Sequence, residues 1–279
     1  MNVFVITACY KFRGKLEKYV ESFMASYEKY KSSSSKFNFL FVNDDPDPYS
    51  IKDLMDTVSP LQRDHSIFVI NNINNLGVTR SRNKAVIRIY EDKFYQNKIW
   101  EDLNPDTDYL MYFDSDDIWD IDSVRTLSNI PEYNLVFYPC KIEEFEQDKN
   151  IKGLMTLGKF CTYIPHLECT YLWRLQIVFD YILEHGNFWY ESENDCKLFT
   201  EDMIFLTIPD ISCLVVSDSI CHCSRNTGSY CNDWRSTIHK NILSFRRIAE
   251  LHRKNMRYYE YPDELIKYIE YLESYKILS

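Results

Sequence analysis

The sequence predicts a mixed α/β domain in which a mostly parallel β-sheet is covered by helices on both faces. Short apolar runs of strand length alternate with segments of helical periodicity, and Pro and Gly residues fall between them. The chain has 279 residues, 45% of them hydrophobic, which is enough for the core of one large domain or of two small ones. Strands separated by helices favour the parallel arrangement.

In the first half of the chain, the sequence predicts strands and helices that alternate. Four strands are predicted, at residues 3–8, 37–42, 67–70 and 109–113. Helices are predicted between them, at residues 16–27, at residues 51–58 and from Thr79 onward. Pro46 and Pro48 end the second strand, and Gly77 marks a turn before the third helix.

Charge, cysteine content and hydropathy restrict the class of protein. The 42 acidic and 32 basic residues give a net charge of −10, which disfavours a protein whose whole surface binds polyanions. The nine cysteines follow no framework spacing and lie mostly in apolar runs, so we interpret them as reduced thiols. The N-terminus lacks an export signal, and no apolar run has the length of a membrane span. We therefore expect a cytoplasmic protein without stable membrane insertion, in a host cytoplasm if a phage encodes it.

Polar clusters follow three of the predicted strands. They are Asn-Asp-Asp at residues 43–45, Arg-Ser-Arg-Asn at residues 80–83 and Asp-Ser-Asp-Asp at residues 114–117. Ligands of parallel sheets gather at the carboxyl ends of the strands, where all three clusters would lie. Carboxylates held as close together as those at 114–117 repel one another unless solvent or a cation separates them. The last cluster is therefore either a solvated turn or a metal site.

These motifs, in this order, resemble those of glycosyltransferase family 2, whose fold is GT-A. The stretches that carry the resemblance are Asn-Asp-Asp at 43–45, Asn-Leu-Gly-Val-Thr-Arg-Ser-Arg-Asn at 75–83 and Phe-Asp-Ser-Asp-Asp-Ile-Trp at 113–119. The resemblance implies an inverting transferase that uses a UDP-sugar and Mn²⁺ or Mg²⁺. It implies a GT-A domain over residues 1–232, with a nucleotide-sugar-binding half at 1–130 and an acceptor-binding half at 131–232.

The same resemblance implies roles for the motif residues. Asp116 would bind the metal, with Asp114 at the metal or the donor ribose. Asp44 would read the nucleobase, since a carboxylate accepts the ring N–H of uracil; its alternative role is a turn cap before Pro46. Arg82 would contact the diphosphate with its planar fork of donors. Further members of the implied donor site are Thr7, Ala8, Gly77 and Asn83.

The second half contains a Glu-Asp pair, Glu201 and Asp202, similar to the family's pair at the start of a helix. Displacement at the anomeric carbon needs a base for the acceptor hydroxyl, and Asp202 is implied as that base with Glu201 in support. The alternative is favourable helix-dipole chemistry in a first turn.

Cys221, His222 and Cys223 suggest a zinc site, but alternation in a strand would turn His222 away from both cysteines. His222 would then face the site, where several GT-A enzymes place a further metal ligand; the alternative is an ordinary hydrogen-bonded histidine. Arg225 resembles the family's closing arginine, which implies a contact with the diphosphate or acceptor.

Residues 233–279 are expected to form a C-terminal helical extension. Its basic residues include Arg246, Arg247 and Arg253, which suit a phosphate backbone if the acceptor is DNA; the alternative is a solvated helix face.

The acceptor is the least constrained part of the prediction. The chain's size, its Lys-, Asn-, Ile- and Tyr-rich composition and its lack of an anchor resemble the phage transferases that add glucose to glucosylated hydroxymethylcytosine in DNA. That acceptor, with UDP-glucose as donor, is narrowly favoured. The alternatives are a cytosolic transferase for surface polysaccharide or another glycoconjugate, and a non-catalytic nucleotide-sugar-binding module. Asp116, Asp202 and Arg82 together argue against the module.

Overall fold

The computed structural model describes residues 1–32, 35–95, 99–141, 152–156, 169–188 and 211–222. Its strands are β1 (Asn2–Cys9), β2 (Lys36–Asn43), β3 (Ser66–Asn71), β4 (Tyr109–Tyr112), β5 (Ile118–Trp119), β6 (Leu135–Pro139), β7 (Gly153–Thr156), β8 (Cys169–Arg174), β9 (Ser212–Val215) and β10 (Cys221–His222). Its helices are α1 (Leu16–Lys29), α2 (Ser50–Val58), α3 (Val78–Tyr95), α4 (Ser123–Leu127) and α5 (Leu175–His185), with a 3₁₀ helix at Ser59–Arg63.

Eight of these strands form one sheet in the order β3-β2-β1-β4-β8-β6-β9-β7. The pairs β3-β2, β2-β1, β1-β4 and β6-β9 are parallel, whereas β8 is antiparallel to both of its neighbours and β7 is antiparallel to β9. The remaining strands, β5 and β10, form a separate antiparallel pair. The predicted mixed α/β class with a mostly parallel sheet is confirmed.

Helices cover both faces of the sheet because the apolar residues of its strands alternate between two cores. In β1, Phe4 and Ile6 face a core that includes α3 and α5. Val3 and Val5 face the opposite core, which includes α1, α2 and α4. Both cores are closed to solvent, and β1 in the middle of the sheet is buried along nearly its whole length.

The four predicted strands each agree with the structure to within one residue at either end. The three predicted helices begin within one residue of α1, α2 and α3. The predicted C-terminal helical extension lies outside the described residues. Within those residues, the structure contains no helix with the length and apolarity that a membrane crossing requires.

The parallel arrangement of β3, β2, β1 and β4 determines where the polar clusters lie. The carboxyl ends of these strands share one edge of the sheet, and the clusters after β2, β3 and β4 all begin there. Beyond β4, the chain turns through residues 114–117 into β5, whose Trp119 pairs with Cys221 of β10. The fold therefore brings segments distant in sequence to one edge.

Candidate functional site

Asp44 connects the end of β2 to the turn that precedes α3. Its carboxylate is buried, with 3% of the residue exposed. Oδ1 accepts hydrogen bonds from the Asn72 side-chain amide at 2.9 Å and from the Leu76 backbone N–H at 2.8 Å, and Oδ2 accepts one from the Gly77 N–H at 2.9 Å. Hydrogen bonds to a carboxylate are charge-assisted and therefore stronger than those between neutral groups. Asp44 thus fixes the shape of the 72–77 turn.

Asn72 extends this connection into α3. Its side-chain amide also donates to the Ser81 hydroxyl at 3.0 Å, and its carbonyl oxygen accepts a hydrogen bond from the Lys84 ammonium at 2.8 Å. Gly77 adopts a φ of +82°, the left-handed region that favours glycine, and its carbonyl accepts from the Ser81 N–H at 3.1 Å. The predicted Gly77 turn is therefore present, and it orients the first residues of α3.

Arg82 on α3 connects this network to the acidic cluster after β4. Its guanidinium donates to Asp114 Oδ1 at 2.7 Å and lies over the Tyr112 ring, 3.5 Å from the centroid. The Arg82 side chain is 4% exposed, whereas that of Asp114 is 51% exposed. The arginine is thus buried and fixed, while the carboxylate it holds remains open to the edge of the sheet.

Asp116 forms an ion pair with a basic side chain from a distant segment of the chain. Its Oδ2 lies 3.3 Å from the Lys15 ammonium, which comes from the start of α1. The segment that carries Asp116 packs against α1, because the backbone N–H of Trp119 donates to the Ser22 hydroxyl at 3.0 Å. Nothing in the sequence motifs pointed to Lys15, and the ion pair spans 101 positions along the chain.

Asp120 holds a third pair of basic groups. Its Oδ2 accepts a hydrogen bond from the Lys141 ammonium and lies 3.0 Å from Nε2 of His222. Partial burial opposes ionisation, but Lys141, the Asp122 backbone N–H and His222 stabilise the anion, and together they hold the pKa of Asp120 below its ordinary value. This cluster joins β5, the end of β6 and β10.

The acidic stretch therefore relieves its own repulsion with basic side chains. Asp114 is paired with Arg82, and Asp116 is paired with Lys15. Asp120 is paired with both Lys141 and His222. The sequence left a solvated turn and a metal site as the two interpretations. The structure adds a third interpretation, in which basic side chains of the same protein neutralise these carboxylates. Among the partners, Lys15 and Lys141 carry no motif signal, and only the folded arrangement identifies them.

A divalent cation at the acidic turn would need oxygen ligands from carboxylates or from a bound phosphate. Within the described ranges, no three or more His, Cys, Asp or Glu side chains are grouped so that they could hold a metal ion. Mg²⁺ and similar hard cations are commonly held by one or two carboxylates together with substrate phosphates. Asp114 and Asp116 fit that arrangement, because their carboxylates are at least partly exposed and lie in one turn.

Two residues of the implied donor site have their side chains inside or near the core. The Thr7 hydroxyl is fully buried and donates to the Tyr19 phenol at 3.2 Å, so a nucleotide contact by Thr7 would have to come from its backbone. Asn83 is buried on α3, with 1% of the residue exposed. Ala8 is half-buried at the end of β1. Nucleotide contacts by Thr7, Ala8 and Asn83 stay predictions.

His222 and Cys221 show the alternation predicted for them, whereas Cys223 lies outside the described residues. Cys221 is fully buried, with its Sγ 2.9 Å from Cys140 Sγ, whereas the His222 side chain is 44% exposed beside Asp120. Its role as a metal ligand stays a prediction. Cys9, Cys140, Cys213 and Cys221 are all buried, and the reduced state of the cysteines stays a prediction. The remaining predicted site residues lie outside the described part of the chain: Glu201, Asp202, Arg225, Arg246, Arg247 and Arg253.

Comparison with known proteins identifies the fold. No family model and no curated protein matches the sequence. Among solved structures, a TarS fragment from S. aureus, residues 1–349, superposes with a TM-score of 0.59 at 16% identity, over 90% of this chain and 65% of the fragment. A second TarS structure gives a TM-score of 0.58 at 14% identity, over 89% of this chain and 39% of TarS.

The mannosyltransferase PcManGT from Pyrobaculum calidifontis, in complex with GDP-Man and Mn²⁺, gives a TM-score of 0.55 at 12% identity, over 98% of this chain and 69% of that protein. These similarities establish a GT-A-type fold, as the resemblance implied. The chain spans slightly less than two thirds of the TarS fragment and about two fifths of TarS.

Proposed function

We propose that this protein is a glycosyltransferase that takes a sugar from a nucleotide-sugar donor, with UDP-glucose as the favoured donor. The observation that carries the proposal is the convergence of three sequence motifs at one edge of a GT-A-type sheet. Asp44 binds the turn before α3, and Arg82 of α3 binds Asp114. The motifs that suggested a donor site thus form one bonded unit, at the edge where parallel sheets bind their ligands.

In this proposal the donor's diphosphate lies against the acidic turn. Asp116, with Asp114, would hold the divalent cation, which when bound neutralises the charge that develops on the departing diphosphate. The GDP-Man and Mn²⁺ bound by PcManGT are consistent with such a pairing. The contact of Arg82 with the diphosphate stays a prediction; its guanidinium also orients the Asp114 carboxylate, to which it donates at 2.7 Å. His222 beside Asp120 is a candidate further ligand.

The nucleobase would be read at Asp44. A carboxylate offers about four acceptor positions, and the turn uses three of those of Asp44. The remaining position on Oδ2 would accept the N–H of uracil. Asp44 would then serve both as the residue that shapes the turn and as a base contact.

With a nucleotide-sugar as donor, the proposed reaction is a direct displacement at the anomeric carbon of the sugar. An acceptor hydroxyl oxygen attacks the anomeric carbon, the bond from that carbon to the diphosphate oxygen breaks on the opposite side, and the nucleoside diphosphate leaves with the bonding electrons. The configuration inverts. Asp202, supported by Glu201, takes the proton of the hydroxyl. The favoured acceptor is a glucose already attached to hydroxymethylcytosine in phage DNA, a modification that would protect that DNA from restriction.

Turnover of labelled UDP-glucose tests the proposal. The full chain is incubated with Mn²⁺ and either glucosylated DNA, lipid-linked glycans or no acceptor, and transfer and hydrolysis are measured. Asp202→Asn should reduce transfer about a hundredfold or more with donor affinity retained, as expected when a general base is lost. Asp56→Asn, at an exposed ion pair of α2, is the matched control. Nucleotide binding with neither transfer nor hydrolysis would instead indicate a binding module.

The acceptor is tested by a salt series. Binding to glucosylated DNA should weaken with salt, and Arg246→Gln with Arg247→Gln should reduce the slope of log K against log salt by about one to two units. If glucosylated DNA does not bind, or the slope is equal in both proteins, a glycan acceptor replaces DNA in the proposal.

A further inference from the structure

We infer that Lys15 is an internal counter-cation for Asp116: its ammonium holds this carboxylate until a divalent cation displaces it, and then binds the donor's diphosphate. Lys15 thus sets both the metal affinity and the donor affinity of the same edge. The inference rests on the proposed function, because it assigns Asp116 to the metal and the neighbouring space to a diphosphate.

The ion pair has the properties of an exchangeable contact. The ammonium of Lys15 lies 3.3 Å from Asp116 Oδ2, and the two side chains are 39% and 27% exposed. Pairs with this degree of exposure are weak, because water competes for both partners. Arg82 differs, since its guanidinium is almost fully buried and lies against Tyr112. Of the two cations at the acidic turn, one is fixed by packing and the other is free to change partner.

The backbone keeps the Lys15 ammonium near the site whichever anion it binds. Lys15 precedes α1, and its carbonyl accepts hydrogen bonds from the N–H groups of Lys18 at 3.0 Å and Tyr19 at 3.2 Å. The acidic turn is attached to the same helix through Trp119 and Ser22. The start of α1 and the turn are therefore attached to each other, and a change of partner requires only that the lysine side chain move.

Electrostatics favour the exchange. A divalent cation on Asp116 and an ammonium on the same carboxylate would lie within a few ångströms of each other, and like charges at that distance repel. The diphosphate that accompanies the cation is the strongest anion available to the displaced ammonium. Lysine binds phosphate well as a compact, strongly hydrated point charge.

The test uses Lys15→Gln in the full chain and two titrations. With Mn²⁺ alone, removal of the competing ammonium should tighten binding, by up to about fivefold for an exposed pair. With UDP at saturating Mn²⁺, the same substitution should weaken binding about tenfold, since a phosphate contact is lost. Lys15→Arg retains the charge and should keep UDP affinity close to wild type. Lys52→Gln, at the exposed Lys52–Asp56 pair on α2, should change neither titration.

The opposite signs of the two effects distinguish this role from a structural one, which would weaken both affinities or neither. Equal or weaker Mn²⁺ binding in Lys15→Gln, or unchanged UDP binding, overturns the inference, as does a wild type that binds no Mn²⁺. Thermal unfolding of each variant verifies the fold. If wild type transfers sugar but Lys15 does not affect Mn²⁺ binding, only this inference fails. If Mn²⁺ and UDP respond as expected but no sugar is transferred, the proposed transferase activity fails instead.

Discussion

The Arg82 guanidinium donates to Asp114 Oδ1 at 2.7 Å while it lies over the Tyr112 ring, so two residues of separate sequence motifs form one ion pair whose cation is buried. Arg82 is nearly inaccessible to water, and Asp114 is about half exposed. The arginine has lost most of its hydration and depends on its protein partners. Asp114 therefore stabilises the folded protein as well as facing the site.

Asp114→Asn tests that dependence. The substitution removes a negative partner of a buried cation, and we expect the free energy of unfolding to fall by about 1–3 kcal/mol, the usual range for a charged hydrogen bond with one exposed partner. Urea denaturation of both proteins measures the difference. Asp116→Asn is the matched control, because the partially exposed pair with Lys15 should contribute at most about 1 kcal/mol. Equal losses in the two variants would contradict the interpretation.

Asp44→Asn tests the connection between β2 and the 72–77 turn. An amide in place of the carboxylate can keep its oxygen towards Asn72 and Leu76, but it then points an N–H at the N–H of Gly77, which retains only its bond to Asn75 Oδ1. We expect a loss of about 1–2 kcal/mol in stability, because one hydrogen bond is lost and the others are no longer charge-assisted. Asp45→Asn, at a less buried carboxylate that also accepts backbone N–H groups, is the control and should cost less. A fully stable Asp44→Asn would show that the turn does not depend on this carboxylate.

The backbone conformation at Gly77 gives a separate test of the same turn. At a φ of +82°, an alanine is strained, whereas asparagine tolerates the left-handed region better. Gly77→Ala should lower stability by about 1–2 kcal/mol, and Gly77→Asn should recover part of that loss. Thermal melts of wild type, Gly77→Ala and Gly77→Asn determine the order of their stabilities. An alanine variant as stable as wild type would mean that the turn adopts another conformation.

His65 makes stability depend on pH. Burial among the rings of Phe23, Tyr27 and Phe39 lowers its pKa to about 4 from an ordinary 6.5, and nearby Asp64 only partly offsets this. Between these two values the unfolded chain binds a proton that the folded protein does not, so stability falls as the pH drops from about 6.5 towards 4. Unfolding free energies at pH 7 and pH 5 should therefore differ more in wild type than in His65→Phe. The same difference in both proteins would assign the pH dependence to other groups.

The sequence was most informative where local periodicity and tertiary structure agree. Residues 3–8 and 37–42 are apolar except for Thr7 and Asn38, because β1 and β2 are buried on both faces, and such strands are recognisable without their neighbours. Gly77 was identifiable as a turn because few residues adopt its backbone conformation. The common location of the polar clusters, at the carboxyl ends of the strands, followed from the predicted parallel order alone.

The partners of the acidic residues could not be predicted in this way. Lys15 and Asp116 lie 101 positions apart, and Lys141 and Asp120 meet only because β5, β6 and β10 converge. A lysine at the start of a helix has no local feature that reveals which distant carboxylate it contacts. Asp44 was predicted as a base contact from the resemblance, but its three bonds to the turn required the folded positions of Asn72, Leu76 and Gly77.

The most direct test of the donor site is the affinity of the full chain for UDP with and without Mn²⁺, measured by calorimetry for wild type and Asp116→Asn. If the acidic turn binds the donor's diphosphate through a divalent cation, wild type binds UDP only when Mn²⁺ is present, and Asp116→Asn loses this metal-dependent binding while it unfolds at nearly the wild-type temperature. Metal-dependent UDP binding that is unchanged in Asp116→Asn, or no UDP binding by wild type under either condition, would contradict a nucleotide-sugar site at this edge of the sheet.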